Sequence, residues 1–204
     1  ADLRAMLAAK FAVSPENIIL GNGSDDILNI ITRICAGAKR SIAGFDPSYS
    51  LYPVLARMQG ARCDLIPLDD NFEMPEVIPE RALDSAIFMI TRPNAPTGNS
   101  FPKKRIMEIC SKSSGVVVVD EAYADFADDN CLDLLKKYEN LIICRTLSKS
   151  YSLAGIRLGF AIANRAIIAQ MMKVKDSYNV CGLSQKIAKI AIQDDAHFKR
   201  NLER

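Results

Sequence analysis

Lys149 follows directly on an apolar run. Leu141-Ile142-Ile143-Cys144 stops at Arg145-Thr146-Leu147-Ser148-Lys149, and Arg157 comes eight residues later. A lysine that is desolvated or set beside other cations gives up its proton, and a neutral amine is the form that attacks a carbonyl to make a Schiff base. An isolated lysine is more often an exposed cation, but Lys149 has informative neighbours. Arg157 has the fork that binds an anion bidentately, and Ser148 and Ser24 add hydroxyls. Gly21-Asn22-Gly23-Ser24-Asp25 opens a helical stripe whose first backbone N–H groups and positive dipole end favour negative charge. Together these residues describe a cup for a phosphate group.

Asp120 ends a second apolar run, Val116-Val117-Val118-Val119. A carboxylate left unpaired there is costly, so it must meet a cation, a donor or a helix N-terminus. Capping a helix is one solution. The other is an ion pair with the protonated ring nitrogen of a pyridoxal cofactor, the partner that lets the ring draw electrons from a substrate carbon. Tyr123, three residues on, would then reach the ring hydroxyl.

Composition removes the main competing chemistries. With one histidine, His197, the chain has almost no material for a Ser-His-Asp triad or a histidine metal site. His197 lies in the polar stretch DDAHFKRNLER and reads as a solvated surface residue. Six cysteines, Cys35, Cys63, Cys110, Cys131, Cys144 and Cys181, form no C-x-x-C pair and read as reduced and mostly buried. The 26 Lys+Arg against 24 Asp+Glu leave a formal charge of +2, far from the basic excess of a nucleic-acid surface. No apolar run approaches the roughly 18–20 residues that span a bilayer, and ADLRAMLAAK lacks a signal peptide's apolar core. These features point to a soluble protein.

The elements that must position these residues alternate. Helical stripes cover Leu3 to Phe11, Ile27 to Gly37, Leu51 to Met58 and Pro102 to Lys112. Strands are expected at Ile18–Leu20, Arg40–Phe45, Ala61–Leu68, Ala86–Ile90, Val116–Val119 and Leu141–Cys144. Residues 165–204 are helical in pattern, broken near Tyr178-Asn179-Val180-Cys181-Gly182. Alternating strands and helices, with several strands wholly apolar, predict an α/β fold: a three-layer αβα sandwich around a mainly parallel sheet. In such sheets ligands bind at the carboxyl ends of the strands, where Lys149 and Asp120 fall. The chain begins with Ala inside a helical stripe and stops without Gly or Pro punctuation, which predicts a portion of a longer protein.

The ordered words ILGNGSDD, Pro-Asn-Ala-Pro-Thr-Gly, VDEAY and RTLSKSYSLAGIRLGFA resemble the fold-type I pyridoxal-phosphate aminotransferases, over essentially the whole chain. Within them the chain is most similar to the histidinol-phosphate aminotransferases. The resemblance implies the cofactor-binding large domain of such an enzyme over residues 1–204, with the small domain absent and about 165–204 leading toward it. It implies pyridoxal 5'-phosphate as cofactor, with Lys149 as Schiff-base lysine, Asp120 on the ring nitrogen and Tyr123 on the ring hydroxyl. Ser148 and Arg157 would hold the phosphate by side chain, and Ser24 and Asp25 would do so by backbone. Tyr49 in DPSYSLY would stack on the ring; a packing role is its alternative.

Relatives often read Pro-Asn-Asn-Pro-Thr-Gly, and the Asn that touches the ring hydroxyl is here Ala95. Either Asn94 substitutes or Tyr123 acts alone, and Ala95-Pro96 is a candidate cis bond. The implied reaction moves an amino group between L-histidinol phosphate and 2-oxoglutarate, in a cytoplasmic homodimer whose partners are small amino donors and keto acids. Another type I aminotransferase, a threonine-phosphate decarboxylase, or an inactive large domain are the competing expectations.

Overall fold

The computed structural model describes residues 2–203. One seven-stranded sheet forms its middle layer, in the order β1-β7-β6-β5-β4-β2-β3. The strands are β1 (Ile18–Gly21), β2 (Ile42–Asp46), β3 (Cys63–Pro67), β4 (Ile87–Thr91), β5 (Val116–Asp120), β6 (Leu141–Thr146) and β7 (Gly159–Ala163). The pairs β2–β3, β2–β4, β4–β5 and β5–β6 are parallel, and β7 runs antiparallel to both β6 and β1. The mainly parallel αβα sandwich expected from the sequence is therefore present.

Side chains that alternate along each strand must face opposite sides of the sheet. On one side Ile87, Met89, Val118, Ile142 and Cys144 pack under α2 (Ser24–Cys35), α3 (Leu51–Met58) and α6 (Arg165–Val174). On the other, Phe88, Ile90, Val117, Val119, Leu141 and Ile143 pack against Ile106 and Ile109 of α5 (Lys103–Lys112). That second layer continues with α1 (Asp2–Lys10) and α7 (Gly182–Gln193), whose Leu3, Leu7, Ala188 and Ile192 meet Ile18, Phe160 and Ile162. Burial on both faces is why the central strands carry no polar alternation. The short α4 (Glu80–Leu83) was not signalled by periodicity, and α8 (Asp195–Leu202) closes the chain.

The expected break in the C-terminal helical stretch falls between α6 and α7, where Asn179 donates to the Leu20 carbonyl at 2.9 Å. The strand that the sequence did not disclose is β7. Its five residues, Gly-Phe-Ala-Ile-Ala, are small enough to read as an extension of the preceding loop. All six cysteines are free; Cys110, Cys131 and Cys144 are buried, Cys35 and Cys63 half-buried, and Cys181 exposed. His197 is exposed, as its polar surroundings predicted. Among the described residues no helix is long and apolar enough to cross a membrane.

Candidate active site

Parallel strands end at the same edge, so β4, β5 and β6 deliver Thr91, Asp120 and Thr146 side by side: Thr91 pairs with Asp120, and Asp120 with Cys144. The antiparallel β7 starts where these strands stop. Gly159 lies opposite both Thr146 and Gly21, which brings Arg157 and the turn before α2 to the same edge. A cavity of about 160 Å³ opens there, the scale at which a protein interior admits a single aromatic ring. Its lining includes Ser24, Asp25, Tyr49, Asp120, Tyr123, Ser148, Lys149 and Arg157. Eight of the nine candidate residues are thus gathered in one place.

At the floor, Asp120 is 2% exposed and accepts a hydrogen bond from the Ala122 backbone N–H at 3.1 Å. The Tyr52 hydroxyl donates to its other oxygen at 3.5 Å. No lysine or arginine pairs with it among the described residues. Burial pushes its carboxyl up to about 6, because the ionised form has lost water and gained no cation. Lys149 is exposed, and its Nζ sits 5.0 Å from the centre of the Tyr123 ring.

The turn expected to hold an anion is built on backbone. Gly23 takes φ 86°, a conformation that favours glycine, and caps α2 without any side-chain bond, so the first turn's N–H groups remain available. A Cβ on Gly23 would lie 2.4 Å from the Arg157 guanidinium, which shows how closely that cation covers the turn. A Cβ on Gly159 would lie 2.3 Å from the Ser24 nitrogen, so strand and turn touch backbone to backbone. Ser148 is held by Thr146, whose Oγ1 lies 2.9 Å from the Ser148 Oγ and accepts from the Ser148 N–H at 3.2 Å. The Asp25 side chain turns sideways, accepting from the Tyr49 hydroxyl at 3.0 Å and pairing with Arg157 at 3.3 Å. Burial first, and then the Asp25 carboxylate, push the Tyr49 phenol up to about 12, so Tyr49 stays a neutral ring at the cavity wall.

Asn94 is not brought to the cavity. It is 2% exposed, donating to the Pro47 carbonyl at 3.0 Å and to Thr97 at 2.7 Å while accepting from Ser48 at 2.8 Å. Its amide is fully engaged in holding the loop, and Ala95 takes the place at the cavity wall. The Ala95-Pro96 bond is cis, as are Asp46-Pro47 and Arg92-Pro93. Sequence reasoning missed Tyr52, Thr91 and Thr146. Tyr52 is 1% exposed in α3 and 2.6 Å from the Thr91 hydroxyl, and only its place in an otherwise apolar helix face could have flagged it.

Residues 1–204 match the family described as Aminotransferase class I and II. The chain belongs to that family. It is 46% identical over 196 residues to a histidinol-phosphate aminotransferase of Geobacter sp. (strain M21), a match that covers 96% of this chain and 55% of that protein. The chain thus spans about half the length of the curated relatives it matches. Among solved structures it superposes with a TM-score of 0.88 on a histidinol-phosphate aminotransferase from Sinorhizobium meliloti in complex with pyridoxal-5'-phosphate. There the identity is 23%, and the match covers 98% of this chain and 56% of that one. An L-threonine-O-3-phosphate decarboxylase from Porphyromonas gingivalis gives a TM-score of 0.85 at 22% identity, covering 96% of this chain and 62% of that one. At these identities the two structures speak for the fold. In this family member the cavity residues suit a pyridoxal ring: a buried carboxylate without a cation, an amine lining the same cavity, and an arginine and a helix N-terminus that could take an anion.

Proposed function

We propose that the chain binds pyridoxal 5'-phosphate at this cavity and serves transamination between L-histidinol phosphate and 2-oxoglutarate, giving imidazole-acetol phosphate and L-glutamate. The observation that carries the cofactor reading is Asp120, a buried carboxylate whose missing partner is a cation facing the same cavity as Lys149. The substrate choice rests on likeness to the histidinol-phosphate aminotransferases. When bound, the cofactor supplies an aldehyde and an electron-accepting ring.

The chain's own residues divide the remaining work. The α2 N-terminus, Ser24, Ser148 and Arg157 hold the phosphate, with Arg157 leaving its Asp25 contact for the stronger anion. Asp120 keeps the ring nitrogen protonated, and desolvation makes that attraction count for more than it would in water. Tyr49 covers a ring face, and Tyr123 donates to the ring oxygen. Lys149 would be the residue whose amine holds the cofactor's aldehyde, and its Nζ would carry a proton to and from the substrate carbon. In this reading residues 1–204 supply the cofactor-binding large domain, and 165–204 lead toward a small domain. The enzyme works as a homodimer in the cytoplasm, where free cysteines stay reduced.

The test is a visible spectrum of the chain with added pyridoxal phosphate, followed by borohydride reduction and peptide mapping. A reduced adduct on Lys149 is expected, and Lys149→Ala should lose it at an unchanged melting temperature, because the exposed side chain fills no core volume. Attachment at another lysine would sink the assignment. In the longer parent enzyme, faster amino transfer from aspartate or phenylalanine than from histidinol phosphate would refute the substrate and leave the cofactor site standing.

A further inference from the structure

Next to the cavity lies a largely buried ionic chain, with only Asp125 part-exposed, that the proposed reaction does not use. Arg145 on β6, 5% exposed, donates from Nε and Nη2 to Glu121 Oε2 at 2.9 and 2.6 Å. Its Nη1 donates to Asp125 Oδ1 at 2.9 Å, and the Ser150 hydroxyl donates to Asp125 Oδ2 at 2.5 Å. The Cys131 backbone N–H donates to the remaining Glu121 oxygen at 2.5 Å. The positions of these residues in the chain are the informative part. Glu121 follows Asp120, Asp125 comes two residues after Tyr123, and Ser150 follows Lys149. The relay thus joins the turn after β5 to the turn after β6, the two segments that carry the ring-nitrogen carboxylate and the amine.

Lys149 reaches the cavity on a flexible four-carbon stem, so the backbone of its turn decides where the amine can go. Two backbone bonds shape that turn, Ser152 N–H to Lys149 O at 2.9 Å and Leu153 N–H to Leu147 O at 3.1 Å. Neither of them refers the turn to Tyr123 or Asp120. The Ser150–Asp125 bond does, and Arg145 locks Asp125 from the other side with a planar fork that a lysine would not reproduce. We propose that Ser150, Asp125 and Arg145 form a positioning relay that holds the Lys149 turn in register with the Tyr123 turn. The relay leaves the cavity itself free of additional charge. The proposal rests on the reading of Lys149 as the attacking amine only for what the positioned residue then does.

The test compares the parent chain with Ser150→Ala, which removes one hydroxyl from a residue that is 1% exposed, and with Ser150→Thr, which restores it. Amide hydrogen exchange at Ser152 and Leu153 should quicken about tenfold in Ser150→Ala, the usual effect of losing a hydrogen bond to a charged group, and recover in Ser150→Thr. Exchange in β2 should not move. At one fixed pyridoxal phosphate concentration, borohydride-trapped adduct on Lys149 should fall about tenfold in Ser150→Ala while the melting temperature changes little. Unchanged exchange at Ser152 and Leu153 overturns the relay. So does faster exchange with trapping equal to the parent's, since the bond would then be structural only. A parent chain that traps nothing on Lys149 defeats the cofactor reading instead. The exchange measurement needs no cofactor and decides the relay in that case too.

Discussion

Asp120→Asn separates the cost of a buried carboxylate from its use. The Asp120 carboxyl is raised from 3.8 to about 6, with burial the largest cause. At about 1.4 kcal/mol per pH unit this rise corresponds to about 3 kcal/mol of folding stability, and near-complete burial leaves little solvent screening to discount. Between about pH 4 and pH 6 the folded chain holds more of the Asp120 proton than the unfolded chain does. Stability therefore falls as pH rises through that window: the penalty is absent below pH 4 and complete above pH 6. Asparagine has the same shape, keeps an oxygen for the Ala122 N–H and offers an amide to the Tyr52 hydroxyl. In urea titrations Asp120→Asn should exceed the parent by about 3 kcal/mol near pH 7.5, and the two should converge near pH 4. Pyridoxal phosphate binding should move the opposite way, weakening in the more stable variant. A difference that does not depend on pH, or a variant less stable than the parent near pH 7.5, would show that Asp120 carries no buried-charge penalty.

Three further perturbations bear on the frame around the cavity. Glu121→Ala removes the acceptor of Arg145 Nε and Nη2 in a buried site and leaves that cation with Asp125 alone, and the loss should be about 3 kcal/mol in urea unfolding; a loss below about 1 kcal/mol would mean that Asp125 and water satisfy the arginine. Gly159→Ala forces a Cβ to within 2.3 Å of the Ser24 nitrogen, so strand and turn must separate. That should cost roughly 1–3 kcal/mol and weaken inorganic phosphate binding, and unchanged melting with unchanged phosphate affinity would contradict the close approach. Cys181 is exposed, with its thiol lowered by hydrogen bonds from Ser184, whereas burial pushes Cys110 and Cys131 up to about 12. Ellman's reagent followed by peptide mapping should therefore find Cys181 modified first, and prior labelling of Cys35 or Cys63 would be the contrary result.

Much of the architecture was legible because the chain spells it locally. Val116–Val119 reads as a strand covered on both faces, and Gly23 before a helical stripe reads as a tight turn that opens a helix. The residue types at the ends of those elements, Asp120, Lys149 and Arg157, then named a chemistry. What a linear pattern does not encode is which way a neighbouring strand runs. Five residues at 159–163 carry too little hydrophobic contrast to declare themselves a strand. Yet their antiparallel pairing with β1 and β6 sets Gly159 against Ser24 and puts Arg157 over the turn.

The same holds for polar side chains. In sequence Asn94 stood out as a polar loop residue within a motif, whereas Tyr52 passed as one more aromatic on an apolar helix face. Packing turned Asn94 inward to saturate its loop, and it aimed the Tyr52 hydroxyl at Asp120. Composition and spacing pointed to a mainly parallel sheet, to six of its seven strands and to the strand ends where candidate groups were sought. Tertiary structure decided which groups face the cavity, because a buried hydrogen-bonding group goes wherever its partners are, and those partners come from distant parts of the chain.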